Sequence, residues 1–433
     1  MLMTAGEHCT LQTRDQPSGR IVGPTGSGVK LGGFMKVRGW QHILSMCLVL
    51  VATAGIGATE EGSQDPWLAA GFSEAQREQL RAAIQSGVDD GSIAGASLLL
   101  YNDNVEIFKE GFGYADLESR RPFTVDEVVA LASISKPHTA TTIMMLVDQG
   151  ILSLDDPVDR FLPEFGDIRL RDSSATVPAP TIGQLLSHTA GFPAGREAPM
   201  VQLVYMQPDF SSAVKAIVAN GLAYRPGEGY AYTELDYVTA ARVAEKVTGR
   251  DFDELMRELL LEPIGAPRTT FRPSQEMLDA MPMRYNFRDG KLLPRSARRY
   301  RGPGTTFDPG GSLVGDLDGV GRLFLLHYNR GKIDGAQLIP GKLLEQMYVA
   351  PPSAKKYGLG FNLEWMPTDG SKPMVRHGGA TGTMAWIDFE LEIVGVFFTQ
   401  TPARQVMPFT MRVFSTLDEI GLGRFGDTEI PGR

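Results

Sequence analysis

The sequence predicts an α+β fold, and three observations carry the prediction. Strand-like apolar stretches lie towards both ends of the chain. The middle is mainly helical in pattern and rich in proline. The 433 residues, 42% hydrophobic and 21% charged, supply enough apolar material for two lobes sharing one cleft. The terminal segments would then build one sheet and the centre a helical lobe.

The opening of the chain reads differently from the rest. Met35-Lys36-Val37-Arg38 is a short basic start, followed by the apolar run Ile43 to Val51 and the small residues Ala52 to Ala58. That is the layout of an export signal, cleaved after Ala54 or Ala58. Residues 1–34 show no periodicity and sit awkwardly before such a signal, so Met35 is the expected start. Residues 1–58 are read as leader and signal peptide, and 59–433 as one two-lobed domain. The apolar run is too short to span a membrane. The expected product is exported, periplasmic or secreted, with no stable membrane span after cleavage. "GPTGSGVKL" in the leader is a near miss to a phosphate-binding loop, but Val29 separates glycine from lysine and no strand precedes it. Both cysteines, Cys9 and Cys47, precede the cleavage point, which leaves neither disulfide nor thiol nucleophile. The first 58 residues hold five of the 42 Lys/Arg but only two of the 51 Asp/Glu, so the remainder is more acidic than the chain's net −9. Such a surface argues against nucleic acid or an anionic membrane as partner.

From Phe72 to Asp90, Leu80, Ala83, Ile84 and Val88 recur at helical spacing between charges, which predicts an amphipathic surface helix. "GASLLLYNDNVEIFKEGFGYAD" predicts two strands around a polar turn at Asn102 to Asn104. In "ALASISKPHTATTIMMLVDQG", Ile134, Ala140, Ile143, Met144, Met145, Leu146 and Val147 are apolar on nearly every side, so this helix is expected to be buried. Residues 163–303 read as mainly helical and include "TIGQLLSHTAGFP" and "YVTAARVAEKVTG". Strands return in "GLGFNLEW", "VRHGGATGTMAWIDFEL" and "IVGVFFTQ", before a last helix around Pro408 to Ile420.

Chemistry enters with a serine and a lysine three residues apart. S-x-x-K occurs four times, at Ser27, Ser133, Ser212 and Ser353, and the serine of such a pattern is as readily a helix cap as a nucleophile. Ser133 stands out because it heads the long buried helix. Positions i and i+3 share a helix face, so the Lys136 amine can reach the Ser133 hydroxyl. Partial desolvation there can lower the pKa of Lys136 and fit it to act as a base. Ser212 is the nearest rival, on a shorter helix. The six histidines, at 8, 42, 138, 188, 327 and 377, form no metal-binding spacing, and G-x-S-x-G is absent. Neither a metal nor a cofactor is expected.

"SISK", "LSHTAGFP" from Leu186, "PGEGYAYTELDY" from Pro226, "GGSLVGDLDGVGRL" from Gly310 and "HGGATG" from His377 occur in that order. Together they resemble the serine β-lactamase and penicillin-binding family, closest to class C β-lactamases and family VIII carboxylesterases. The resemblance spans about Phe72 to Leu417. It implies a β-lactamase/transpeptidase-like fold, with an antiparallel terminal sheet flanked by helices. It also implies that Ser133 accepts the acyl group, that Lys136 is its partner, and that Tyr232 moves protons between serine, leaving group and water. The backbone N–H groups of Ser133 and Ala380 would form the oxyanion hole. Glu234, His377 and Gly379 fall at substrate-binding positions, while His188 belongs to an element that looks structural.

Two departures bear on substrate. Glu234 stands where the family has an amide in Y-x-N, and His377 where it has the lysine of K-T-G. Those groups help to hold an amide and a carboxylate, so their replacement points to uncharged esters. The reading is an exported serine hydrolase working through an acyl-serine on a small ester or amide, most simply a carboxylesterase. The alternatives are a β-lactamase, a D-Ala-D-Ala carboxypeptidase or other D-amino-acid peptidase, and a penicillin-binding sensor without turnover. Whether Glu234 pairs with Lys136, whether the basic stretch Lys291 to Gly304 rims the cleft, and the oligomeric state all stay open on sequence.

Overall fold

The computed structural model describes residues 65–173, 175–195, 201–295, 306–365 and 372–426. All of these belong to the unit Ser63–Arg433. The predicted leader and signal peptide lie outside the described residues.

A seven-stranded sheet is built from the two ends of this unit. Strands β1 (Gly95–Asn102), β2 (Val105–Asp116) and β3 (Arg121–Pro122) come from the N-terminal part. Strands β4 (Asn362–Trp365), β5 (Met374–Gly379), β6 (Thr383–Asp388) and β7 (Ile393–Thr399) come from the C-terminal part. The order is β4-β5-β6-β7-β1-β2-β3, every neighbour antiparallel. β1 and β7 join the halves, with Ala96 opposite Thr399 and Asn102 opposite Ile393. The β1–β2 turn is set by Asp103 and Asn104, both at positive φ (43° and 67°), which suits a tight hairpin and these two residue types.

Both faces of the sheet are covered, so β1 reads as a continuous apolar run rather than an alternating one. Leu98 and Leu100 point to one core with Trp386 and Phe397, beneath helices α1 (Glu74–Asp89) and α5 (Met407–Glu419). Leu99, Val396, Phe398, Ala385 and Ile387 point to the other core, shared with the helical lobe. α1 starts in a Ser73/Gln76 capping box and buries Leu80 and Ile84. Each fully buried side chain of this kind contributes roughly 1.5–3 kcal/mol.

The centre of the helical lobe is α2 (Ser135–Asp148), buried from Ser135 to Leu146 as its apolar pattern predicts. Its hydroxyls are satisfied locally or by neighbours: Thr142 bonds back to the His138 carbonyl, and Thr139 donates to the Pro309 carbonyl. α3 (Leu235–Thr248) and α4 (Leu317–Tyr328) pack around it, α3 ending at Gly249 in the left-handed conformation.

One expectation fails in the middle region. Arg284–Arg288 and Lys291–Arg295 form a β-hairpin rather than helix or loop. A turn at Asp289 and Gly290, both at positive φ, closes it. Residues 296–305, the rest of the basic stretch, lie outside the described residues. Among the described residues no helix is long and apolar enough to cross a membrane.

Candidate active site

Ser133 does not cap α2. It lies in a short 3-10 turn, Ala132–Ile134, and the cap position of α2 belongs to Ile134, without any side-chain cap bond. The preceding Ala132 has φ 49°, a left-handed conformation costly for an alanine. The turn is tied down on both sides. Thr381 and Thr383 donate to the Ala130 and Leu131 carbonyls at 2.6 and 2.9 Å, and Ser135 donates to the Ala132 carbonyl at 2.6 Å. Gly379 presses against the same segment: a methyl group there would lie 2.3 Å from the Leu131 carbonyl oxygen. The C-terminal end of β5, and with it exposed Ala380, is thereby held beside Ser133.

Lys136 is fully buried. Its Nζ donates to the Gly310 carbonyl at 2.8 Å, faces Glu234 Oε1 at 3.3 Å and Ser133 Oγ at 3.4 Å, and stands 4.5 Å from the Tyr232 ring centroid. Its two S-x-x-K counterparts among the described residues, Lys215 and Lys356, are exposed, and Asp209 rather than Ser212 caps the helix at Phe210–Asn220. Ser27 lies outside the described residues.

The lysine's charge state follows from the pairing with Glu234 that the sequence left open. Burial does favour the neutral amine, but Tyr232, Glu234 and Asp308 outweigh it, and the net pKa is raised. Lys136 rests as an ammonium, paired with Glu234. Burial likewise raises the pKa of Tyr232, against the opposing pull of Lys136, so its phenol rests protonated.

His377 is buried on β5, with Nε2 3.1 Å from Tyr357 Oη and Nδ1 3.0 Å from the Gly378 carbonyl. Burial, then the nearby Lys136 charge, lowers its pKa to about 3, so it is neutral. Both ring nitrogens are engaged within the protein, which places His377 as a support under Tyr232 and Tyr357 rather than as an open donor.

Three further groups crowd the site: sequence reasoning missed the acids Asp236 and Asp308, and placed His188 in an element that looks structural. His188, at φ 59°, meets buried Asp236 through Nδ1 at 2.7 Å. Burial drives both partners towards their neutral forms. The His188 ring centroid lies 4.5 Å from that of Tyr232 and 4.9 Å from that of Tyr357, tilted by 47° and 52°. The third is Asp308, buried beside Gly310. It accepts from the Gly310 N–H at 2.8 Å and the Tyr205 hydroxyl at 3.0 Å. Burial and the Glu234 charge raise its pKa to about 7. Its position two residues before "GGS" is the only sequence signal that could have flagged it.

A serine on a strained turn, a buried ammonium one helical turn on, a tyrosine over that ammonium, and a strand end beside the serine define a serine hydrolase. The family comparison agrees: the model for the Beta-lactamase family matches residues 80–412, and the chain belongs to that family. It is 26% identical over 353 residues, 74% of this chain and 81% of the relative, to an Escherichia coli K12 protein named "Putative D-alanyl-D-alanine carboxypeptidase". Among solved structures, EstCE1, described as a hydrolase with promiscuous acyltransferase activity, superposes with TM-score 0.71 at 21% identity, covering 82% of this chain and 100% of that one. A family VIII carboxylesterase gives TM-score 0.64 at 22% identity, covering 80% and 97%. An octameric penicillin-binding protein homologue from Pyrococcus abyssi gives 0.63 at 23%, covering 80% and 77%. These likenesses establish the β-lactamase/transpeptidase-like α+β fold.

Proposed function

We propose that this serine hydrolase is an exported carboxylesterase acting on esters of small neutral acids through an acyl-Ser133 intermediate. Ser133 Oγ attacks the acyl carbon, and the backbone N–H groups of Ser133 and Ala380 hold the oxyanion. Collapse expels the alcohol, to which Tyr232, resting as a phenol, relays a proton. Water then releases the acid by the same steps in reverse order.

The observation that carries the choice of substrate is that, among the described residues, neither position matching the family's two motif lysines offers an open cation to a substrate carboxylate. Lys136 is spent on Glu234 and the Gly310 carbonyl, and the residue at the family's K-T-G lysine is a neutral, internally bonded histidine. Glu234 and the Lys136 ammonium neutralise each other at 3.3 Å, so the pair presents no net positive charge to a substrate anion. A second reading, D-Ala-D-Ala carboxypeptidase, is favoured by the name of the Escherichia coli relative.

A paired screen separates the two readings. Short-chain nitrophenyl esters should be turned over at far higher kcat/KM than a chromogenic cephalosporin or a D-alanyl-D-alanine peptide. A phosphonate ester should add one mass equivalent to a peptide containing Ser133. Efficient cephalosporin hydrolysis would defeat the ester reading, and a label elsewhere the assignment of the nucleophile. Export is part of the proposal: the mature protein should begin near Gly55 or Thr59.

A further inference from the structure

Lys136 extends from a buried helix on a flexible stem, so something must fix where its ammonium stops. Its nearest acceptor is neither the serine nor the glutamate. It is the Gly310 carbonyl, at 2.8 Å against 3.3 Å for Glu234 Oε1 and 3.4 Å for Ser133 Oγ. The direction of that carbonyl therefore decides how the remaining N–H bonds face the serine and the Tyr232 ring, whose centroid is 4.5 Å away.

The carbonyl belongs to a turn, Asp308-Pro309-Gly310-Gly311-Ser312, built around one carboxylate. Pro309 has a fixed φ and no N–H, so the Asp308 side chain reaches past it and accepts from the Gly310 N–H at 2.8 Å. Its other oxygen accepts from the Tyr205 hydroxyl at 3.0 Å. The Asp308 carbonyl accepts from the Gly311 and Ser312 N–H groups, both at 2.9 Å. Helix α2 is sewn to the same turn: Thr139 donates to the Pro309 carbonyl at 2.7 Å, and Ser135 Oγ accepts from the Leu313 N–H at 3.0 Å. A methyl group on Gly310 would lie 3.2 Å from Lys136 Nζ and 3.3 Å from Asp308 Oδ1, so ammonium and carboxylate both close tightly on this one residue.

We propose that Asp308 is a positioning residue: by holding the Gly310 peptide, it aims the carbonyl that sets the Lys136 ammonium beside Ser133 and Tyr232. This rests on the acyl-serine reading above. Without the carboxylate, the Gly310 N–H is left buried and without its acceptor, and the peptide gains by turning to find another. The ammonium then loses its shortest bond, and the Glu234 carboxylate draws it off the serine. Acyl transfer and acyl release both pass through Ser133 and Tyr232, so both slow together. Asp308 itself is 2% exposed, so ester binding does not depend on contact with it.

The test compares Asp308→Leu with Asp308→Asn, two side chains close to aspartate in size, on a nitrophenyl ester, with turnover normalised to sites titrated by the phosphonate. Asp308→Leu should lose ~10² in kcat and equally in kcat/KM, the cost of displacing a group beside the reaction by about 1 Å. Asparagine should recover most of that loss, because its amide oxygen accepts from the Gly310 N–H and its amide nitrogen donates to the Tyr205 oxygen. A merely structural role would lower Tm and the titre of active sites and leave turnover per site alone, and that result overturns the proposal. Equal losses in the two variants overturn it as well, since the charge of Asp308 and not its bond to Gly310 would then be at work. If Asp308→Leu does not fold, Gly310→Ala carries the test. There the amine or the carboxylate must give way by a few tenths of an ångström, and turnover per site should fall. Wild-type turnover in that variant overturns the proposal. A phosphonate label on a residue other than Ser133 sinks the acyl-serine reading itself, whereas a labelled Ser133 with wild-type turnover in Asp308→Leu sinks only the positioning.

Discussion

Placing a methyl group on Gly379 tests how the proposed oxyanion site is held. In Gly379→Ala the new carbon would lie 2.1 Å from Thr383 Oγ1 and 2.3 Å from the Leu131 carbonyl oxygen, where ordinary contact begins at 3.4 Å. The threonine can rotate, at the cost of its 2.9 Å bond to the same carbonyl. The carbonyl is backbone and cannot, so the end of β5 must separate from the serine turn by about 1 Å in a close-packed interior. A misplacement of that size costs ~10²-fold in turnover, and outright loss of one oxyanion donor ~10²–10³. Steady-state hydrolysis of a nitrophenyl ester, normalised to phosphonate-titrated sites and checked by near-UV circular dichroism, should show a fall of ~10²–10³ in kcat. Gly378→Ala is the control, because its methyl group would meet only the flexible end of Met384, at 3.1 Å. That variant should stay close to wild type. A folded Gly379→Ala with wild-type kcat, or equal losses at both glycines, would refute the reasoning.

Tyr232→Phe keeps the ring over Lys136 and removes the hydroxyl. It should lower kcat by ~10²–10⁴ with little change in KM, and retention of activity would remove Tyr232 from the proton path. His327 bears on stability instead. Burial, then the neighbouring His138, holds its pKa at about 3, while it bonds Thr141 Oγ1 and Tyr348 Oη at 2.8 and 2.7 Å. Its folded pKa lies below the unfolded value near 6.5, so the unfolded chain binds the extra proton as pH falls and stability drops from about pH 6.5 downwards. Urea titrations should therefore show wild type losing about 1.4 kcal/mol per pH unit more than His327→Asn between pH 6 and 4. Parallel profiles for the two proteins would contradict a neutral buried His327.

Much of the fold was legible because its signals are local and strong. The run of apolar residues around α2 left no polar face and so announced a buried helix, and the hairpin at Asp103–Asn104 is written in residues that tolerate positive φ. The hairpin at 284–295 stayed hidden because its strands carry Arg284, Arg288, Lys291, Pro294 and Arg295 and show no alternation. At the site, the spacing of Ser133 and Lys136 was readable, and the structure does bring Tyr232, Glu234 and the end of β5 to them. The charge state of Lys136 was not. It is decided by a contest between burial and carboxylates at 234 and 308, which one-dimensional spacing cannot weigh. The pairing of His188 with Asp236, 48 residues apart, is hidden for the same reason. Nor does alanine at 132 advertise a left-handed backbone, because residue type signals that conformation only for Gly, Asn or Asp.

The two threonine hydroxyls that grip the Ala130 and Leu131 carbonyls come from the tight β5–β6 turn and from the first residue of β6, an interior strand of the sheet. The proposed nucleophile is therefore riveted to the most constrained part of the molecule rather than carried on a mobile loop. Opening this corner means pulling the hairpin out of a sheet buried on both faces, so inactivation by heat should track the loss of the whole fold instead of running ahead of it. The amides of β6 and of the serine turn should accordingly exchange with solvent at one common, slow rate.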